Sequence, residues 1–229
     1  MPDPLPARMS AWRKSLILAP VCALLLTGCS PVTTVQGRAK PSAPRTYVYD
    51  CEVGFRFTAQ SAGDTIWLFL PAEAIQLSRA NSGSGENYSG PTASFSRTGA
   101  TAVLQHGHQT YRHCQNNDAA AVWEHARLNG VDFRATGMQP DWSLELTLED
   151  EIVFTEEHRQ AVYRFTTPTP EIDPVARRTT YVAQSSGHEL VLSLEAKSCT
   201  GRLRVEAFEV TVQVELDKAI YRGCGKALH

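Results

Sequence analysis

Regular alternation of apolar and polar residues is clearest at residues 207–216, where every second residue is Phe, Val or Leu. Such alternation is typical of a β-strand with one buried and one solvent-facing side. Shorter apolar or alternating segments, separated by turns, predict further strands at residues 47–57, 65–70, 100–104, 109–114, 142–148, 161–165, 180–183 and 189–194. The pattern therefore predicts an all-β fold of antiparallel strands.

A different pattern at residues 118–128 predicts one short helix. Asp118 is a candidate N-cap, and the Ala-rich run that follows ends before Asn-Gly, which is a helix stop signal. We therefore expect a linker helix at residues 117–130 between two β-rich blocks. Residues 47–116 predict a small antiparallel barrel or sandwich, and residues 131–229 predict a second antiparallel β domain.

The first 28 residues have the three parts of an export signal. A positive region comes first, formed by Arg8, Arg13 and Lys14. The apolar stretch at residues 15–26 is too short to span a bilayer as a stable helix. Leu-Thr-Gly-Cys at residues 26–29 then resembles the lipobox of bacterial lipoproteins. The resemblance implies that residues 1–28 are cleaved and that the thiol of Cys29 carries a diacylglycerol.

The lipid is the predicted membrane anchor of the chain. Acyl chains anchor stably because each buried CH₂ contributes about 0.8 kcal/mol. Residue 30 is Ser rather than Asp, which in lipoproteins implies sorting to the outer membrane, here on the periplasmic side. Residues 29–46 contain Pro, Ser, Thr, Gly and Lys and few large apolar residues, so they predict a flexible tether.

Composition argues against several classes of function. The formal net charge of the 229 residues is −2, and a mildly acidic chain does not favour nucleic-acid binding, which needs a basic surface. No hydrolase or phosphate-loop motif occurs, so neither an enzyme nor a cofactor is predicted. His106, His108 and His113 have a ligand-like spacing, but no carboxylate lies beside them in sequence. We interpret them as a solvated turn and predict no metal site.

Four cysteines remain once Cys22 leaves with the signal and Cys29 is lipidated: Cys51, Cys114, Cys199 and Cys224. An even number in an exported chain predicts two disulfides, and three pairings are possible. We favour Cys51–Cys114 and Cys199–Cys224 because each pair brackets one β-rich block. Each would stabilise the fold by roughly 3 to 4 kcal/mol if it acts by restricting the unfolded chain.

Four short motifs follow one another within residues 47–116. They are Tyr49-x-Cys51, Ser84-Gly85-x-x-Tyr88, an aromatic-x-x-x-Gly-x-x-Ala-x-Leu segment from Phe95 to Leu104, and Cys114. In this order and spacing the block resembles the membrane-bound inhibitors of c-type lysozyme, the MliC family. The resemblance implies an eight-stranded β-barrel with a disulfide between its first and last strands. It also implies c-type lysozyme as the protein partner.

The resemblance further implies that two segments enter the lysozyme cleft, which carries a protonated acid and an ionised carboxylate. The residues that carry over by position are Ser84, Gly85 and Tyr88 in the first segment and Arg97, Thr98 and Gly99 in the second. In the family a serine hydroxyl and a lysine ammonium engage the two carboxylates. Ser84 carries over as the hydroxyl, whereas Thr98 stands where the family has lysine and Asn87 replaces a basic residue.

The second block resembles uncharacterised proteobacterial lipoprotein domains that start with Gly-Asn-Glu-Pro-x-Trp and end with Tyr-Arg-Gly-Cys. Residues 137–142 match that start except at Met138 and Gln139, and residues 221–224 match the end. Trp142 is expected in the core rather than as a ligand platform. Two functions remain open for the chain. One is inhibition of c-type lysozyme, and the other is a structural or small-ligand-binding role in the envelope without inhibition.

Replacement of the predicted lipidation residue tests the anchor. In Cys29→Ala no thiol is present at the cleavage site, so we expect unprocessed or soluble protein and no incorporation of labelled palmitate. The measurement is metabolic labelling followed by fractionation of the envelope. Palmitate that still enters the variant would contradict lipidation at this residue.

Overall fold

The computed structural model describes residues 43–80, 85–200 and 207–229. The predicted signal, Cys29, most of the predicted tether and Ser84 lie outside these ranges. The barrel, helix and second sheet described below belong to one compact unit, Lys40–His229. Within the described ranges, no helix combines the length and the apolar character needed to cross a membrane.

In the described part of the chain, eight antiparallel strands form a closed barrel in sequence order. The strands are β1 Arg45–Asp50, β2 Arg56–Ala62, β3 Thr65–Phe69, β4 Ala74–Arg79, β5 Glu86–Ser89, β6 Ala93–Thr98, β7 Thr101–His106 and β8 Gln109–Asn116. A 3₁₀ turn, Glu52–Gly54, follows β1. The predicted small antiparallel barrel is confirmed, and its first strand begins inside the predicted tether, at Arg45.

Aromatic rings fill the interior of the barrel. The ring of Tyr49 stacks on that of Phe57, with centroids 5.2 Å apart, and meets Phe95 edge-on at 5.6 Å. All three side chains are at least 98% buried. They point inward because alternate residues of a strand face the same side of a sheet, and aromatic pairs in these arrangements add to the stabilisation from burial.

The barrel closes at a short seam between β1 and β8. These strands share two residue pairs in the described part of the chain, whereas β1 and β2 share six. A disulfide between Cys51 and Cys114 joins the residue after β1 to β8. The predicted pairing within the first block is therefore confirmed.

Helix α1, Asp118–Leu128, follows the last strand of the barrel. Its N-cap is Asn117, whose side-chain oxygen accepts a hydrogen bond from the backbone N–H of Ala120 at 3.0 Å. The predicted N-cap, Asp118, is thus wrong by one residue. The helix packs along the outside of β1, where Val48 is buried although it faces away from the barrel interior. The helix therefore covers the outer wall of the barrel beside the seam between β1 and β8.

Among the described residues, a second antiparallel sheet has nine strands in the order β12-β11-β10-β9-β19-β18-β15-β14-β13. Together with the small pair β16–β17, its strands are β9 Phe133–Gly137, β10 Trp142–Leu146, β11 Glu151–Glu156, β12 Ala161–Thr166, β13 Glu171–Asp173, β14 Arg178–Ser185, β15 His188–Glu195, β16 Cys199–Thr200, β17 Ala207–Phe208, β18 Val210–Leu216 and β19 Ala219–Ala227. β12 approaches β14, so the sheet curves into a half-barrel. The predicted second β domain and its disulfide, Cys199–Cys224, are both confirmed.

Trp142 is a core residue of the second sheet, as expected. Its side chain is 2% exposed and lies against Phe154, with ring centroids 5.6 Å apart. A Cβ built on Gly223 would lie 2.7 Å from an atom of the indole ring and 2.2 Å from the carbonyl oxygen of Thr136. The glycine in the Tyr-Arg-Gly-Cys motif is therefore required by the close approach of β19 to β9 and to this ring.

A buried carboxylate joins separate strands of the second sheet. Glu156, at the end of β11, is 4% exposed and accepts hydrogen bonds from the hydroxyls of Tyr221 and Tyr163, the latter at 3.3 Å. Arg159 lies 3.5 Å from the same carboxylate. Burial, together with the hydrogen bond to Glu156, raises the pKa of Tyr221 to about 12. Removing one partner from a buried hydrogen-bonded group of this kind is costly, because the remaining polar atoms are left without partners.

Removal of the Glu156 carboxylate should destabilise the second sheet. In Glu156→Ala the hydroxyls of Tyr163 and Tyr221 lose their acceptor and a small cavity is left, so we expect a loss of about 2 to 4 kcal/mol in the free energy of unfolding. Glu149→Ala, at an exposed turn, is the matched control and should change it by less than about 0.5 kcal/mol. Urea unfolding followed by circular dichroism measures both. Equal midpoints for the two variants would contradict a structural role for Glu156.

Candidate functional site

The two segments that the sequence analysis singled out meet at one end of the barrel. β5 pairs with β6 so that Glu86 lies opposite Arg97, which brings Gly85 beside Thr98. A Cβ built on Gly85 would lie 2.6 Å from the carbonyl oxygen of Arg97 and 3.0 Å from Thr98 Oγ1. We call Gly85 with residues 97–99 the Gly85 rim.

Gly85 cannot be replaced without a change in the rim. Its φ of +100° lies in the region that side chains rarely adopt, and its missing side chain leaves room for the β6 backbone. Ser84, the predicted hydroxyl, directly precedes it but lies outside the described residues.

The second segment forms the turn between β6 and β7. Thr98 pairs with Thr101, and Gly99 has a φ of +61° at the tip. The hydroxyl of Thr101 donates a hydrogen bond to the carbonyl oxygen of Thr98 at 3.0 Å. Thr98 is exposed and uncharged, so it presents a hydroxyl rather than a cation at the rim.

Arg97 faces the opposite way, into the mouth of the barrel. Its guanidinium lies 4.1 Å from the centroid of the Tyr47 ring, and Nη1 donates to the Tyr47 hydroxyl at 2.8 Å. Nη1 also contacts Glu86 Oε1 at 3.2 Å, and Nη2 donates to the carbonyl oxygen of Gly99 at 3.1 Å. The side chain is 16% exposed. Arg97 therefore ties the turn to β5 and β1 from inside the rim.

Tyr88 anchors the first segment from within the core. It is 1% exposed, and its hydroxyl accepts a hydrogen bond from Arg79 Nη2 at 3.0 Å. Burial raises the pKa of Tyr88. Burial also raises the pKa of the neighbouring Tyr49 to about 12, although the charge of Arg97 acts in the opposite direction. Both phenols therefore stay neutral at physiological pH, and the hydroxyl of Tyr88 joins the first segment to Arg79.

A shallow groove lies on the outer wall of the barrel, directly beside Thr98. Its volume is about 260 Å³ and its polar lining comprises Ser96, Thr98, Thr101, Arg112 and His113. The sequence analysis missed Arg112 and assigned His113 only to a solvated turn. The available signal was the run of two basic residues before Cys114, which breaks the alternation of β8. The groove brings together hydroxyls and basic side chains from three strands.

Two of the histidines have carboxylate neighbours that the sequence did not reveal. His106 Nε2 lies 3.2 Å from Glu73 Oε1, and His113 Nε2 lies 3.8 Å from Glu52 Oε1. Across the described ranges, no group of three or more potential ligands is arranged to hold a metal ion.

Another open basin, of about 470 Å³, lies at one end of the second sheet beside His188 and Asp217. His188 Nδ1 is 2.5 Å from Asp217 Oδ2, and the backbone N–H of Glu189 donates to Asp217 Oδ1 at 2.9 Å. Both hydrogen bonds lower the pKa of Asp217, and the one from the backbone N–H of Glu189 has the larger effect. The two contacts join the β14–β15 turn to the β18–β19 turn. The pair formed by His188 and Asp217 therefore has a structural role.

Comparison with known proteins adds no relative: no family model, curated protein or solved structure matches the chain. Of the residues predicted for the site, the structure brings Gly85, Arg97, Thr98 and Gly99 to one rim and places Tyr88 in the core beneath it.

Substitution of Gly85 tests the close packing of the rim. In Gly85→Ala the methyl group meets the Arg97 carbonyl in an unfavourable backbone conformation. Gly63→Ala is the matched control, because Gly63 also has a positive φ but has open space around its Cβ position. We expect Gly85→Ala to lower the free energy of unfolding by about 1 to 2 kcal/mol more than Gly63→Ala does. Thermal unfolding measures the difference, and equal losses would contradict the described contact of Gly85 with β6.

Proposed function

We propose that the barrel inhibits a c-type lysozyme by placing the Gly85 rim against the catalytic cleft of the enzyme. The observation that carries this proposal is the juxtaposition of Gly85 and Thr98. Two motifs that are separate in sequence lie side by side, and a backbone position that lacks a side chain is placed next to an exposed hydroxyl. The missing side chain leaves room for a partner to approach the backbone closely, and the lysozyme cleft carries the two carboxyl groups that such a rim would meet.

The architecture around the rim supports the same proposal. The closed eight-stranded barrel and the Cys51–Cys114 disulfide agree with what the resemblance to lysozyme inhibitors implies. Arg97, Glu86 and Tyr47 fix the turn from inside, so little conformational freedom has to be lost when the rim binds. Preorganisation of this sort favours binding because the ordering cost is already met in the free protein.

We further propose where the inhibitor acts. The lipobox at residues 26–29 supports export and attachment through Cys29, and Ser30 supports location at the outer membrane, facing the periplasm. An inhibitor held there would meet lysozyme before the enzyme reaches the cell wall. The tether would give the barrel enough reach to engage an enzyme that diffuses past.

A second function is favoured by the charges at the rim. Thr98 carries no charge and the guanidinium of Arg97 turns inward, so neither residue presents a cation to the carboxylates of a lysozyme cleft. This observation favours a structural or small-ligand-binding envelope lipoprotein that keeps the barrel without inhibition. Whether the purified chain slows lysis of a cell-wall suspension by hen-type lysozyme separates the two functions.

The variant Thr98→Lys tests the rim directly. An ammonium group at this exposed position should gain a charge-assisted hydrogen bond to a cleft carboxylate. We expect inhibition to strengthen by about 1.5 to 3 kcal/mol, which is roughly tenfold or more in the inhibition constant. The measurement is the rate of lysis at increasing concentrations of the full chain in mild detergent.

Thr110→Lys is the matched control for this experiment. Thr110 is exposed on β8, near the turn at the other end of the barrel, and the substitution adds the same charge to the same domain. We expect it to leave inhibition unchanged. A wild-type chain that does not slow lysis would contradict the inhibitor proposal and favour the envelope role. An inhibiting wild type with no gain in Thr98→Lys would contradict the placement of Thr98 in the cleft.

A further inference from the structure

An irregularity in β8 turns two consecutive basic side chains toward the groove beside the Gly85 rim. β7 and β8 pair regularly at Ala102↔Cys114 and again at Leu104↔Tyr111, with a register shift between these pairs. The shift leaves Arg112 and His113 together opposite a single residue of β7. His113 adopts a φ of +51°, and both side chains are exposed. Bulges commonly redirect a side chain in this way.

The groove offers hydrogen-bond donors and positive charge. Within the described ranges, the guanidinium of Arg112 has no hydrogen bond, ion pair or ring contact, so its five N–H donors face solvent. Hydroxyls of Ser96, Thr98 and Thr101 line the same space. Glu52, 3.8 Å from His113, is the one carboxylate that the described residues bring within ion-pair distance of either basic group. A free guanidinium among hydroxyls is suited to an anion with planar geometry.

The groove is continuous with the rim that the proposed function places against the enzyme. Ser96 and Thr98 are both on the outer side of β6, two residues apart, which is about 7 Å along the strand. Thr98 therefore belongs both to the rim and to the lining of the groove. A protein that contacts the rim would cover the groove as well, and a carboxylate on that protein would be desolvated beside Arg112.

We propose that this groove is a carboxylate-binding subsite, in which Arg112 supplies the cation for an acidic side chain of the bound lysozyme. The inference rests on the proposed function and extends it. It assigns the positive charge of the interface to β8 rather than to β6. The hydroxyls of Ser96 and Thr101 would add neutral donors to the same carboxylate, and Glu52 would weaken the attraction from the far side of His113.

The test is inhibition of lysozyme by the full chain in mild detergent, with Arg112→Gln as the central variant. The amide keeps a hydrogen-bond donor but removes the charge, so we expect inhibition to weaken roughly tenfold or more. Arg112→Lys should recover part of the loss. Arg222→Gln, which removes an exposed arginine from β19 of the second sheet, is the control and should leave inhibition at the wild-type level.

A variant that is expected to strengthen inhibition provides an independent measurement and leaves β8 intact. Glu52→Gln removes the nearby carboxylate, so we expect inhibition to strengthen by about two- to threefold. If the wild type inhibits, three results would each overturn the subsite proposal while the inhibitor proposal stands. They are inhibition that is unchanged in Arg112→Gln, inhibition that Arg222→Gln reduces as much as Arg112→Gln does, and inhibition that Glu52→Gln does not strengthen. A wild-type chain that does not inhibit would overturn both proposals.

Discussion

Closure of the barrel depends on the seam between its first and last strands. A barrel has no free edges only when these strands pair, and here β1 and β8 share two residue pairs among the described residues. The Cys51–Cys114 disulfide lies directly beside those pairs and limits how far the strands can separate. Next to them, the backbone N–H of Asn117 donates to the carbonyl oxygen of Val48 at 2.7 Å. The β1–β8 pairing, the disulfide and the start of the helix thus hold the first and last strands of the barrel together.

The same helix also connects the barrel to the second sheet. On one side, His125 Nδ1 lies 3.0 Å from the hydroxyl of Thr46 in β1. On the other side, the ring of Trp123 lies tilted against that of Phe208 in β17, with centroids 5.2 Å apart, and the ammonium of Lys226 in β19 of the second sheet lies 5.0 Å from the Trp123 ring. A cation over an indole contributes about 0.5 to 2 kcal/mol, depending on exposure. The helix is therefore a shared packing element of both β domains as well as the connection between them.

Strand periodicity decides how charge is distributed at the candidate site. Arg97 and Thr98 are neighbours in sequence, yet one side chain closes the mouth of the barrel and the other faces solvent. Because Arg97 is held by Tyr47 and Glu86, its charge stabilises the turn and is not free for a partner. The exposed cation beside the rim is instead Arg112, in the irregular segment of β8. The shape of the rim is thus supplied by β5 and β6, and the exposed positive charge by β8, which is separated from β6 by β7.

Much of the fold could be predicted from the sequence because the relevant signals are local. Alternation with a period of two marks strands, as at residues 207–216, and its loss at residues 118–128 marks the helix. The cysteine pairs also followed from position, since each pair brackets one β-rich block. The N-cap was misplaced by one residue because Asn117 and Asp118 are both good caps, and the choice between them depends on where β8 ends.

The candidate site was predictable only in part. Motifs identified Gly85 and Thr98 from the sequence, whereas strand register made them neighbours and turned Arg97 away from solvent. The groove with Arg112, and the carboxylates beside the histidines, depend on contacts between strands that are distant along the chain. Local sequence carries the period of a strand but not its partner, and a single bulge reverses the direction of the side chains that follow. The sequence by itself thus determined the elements and the candidate segments, and the tertiary structure decided which side chains of those segments face solvent and which are buried.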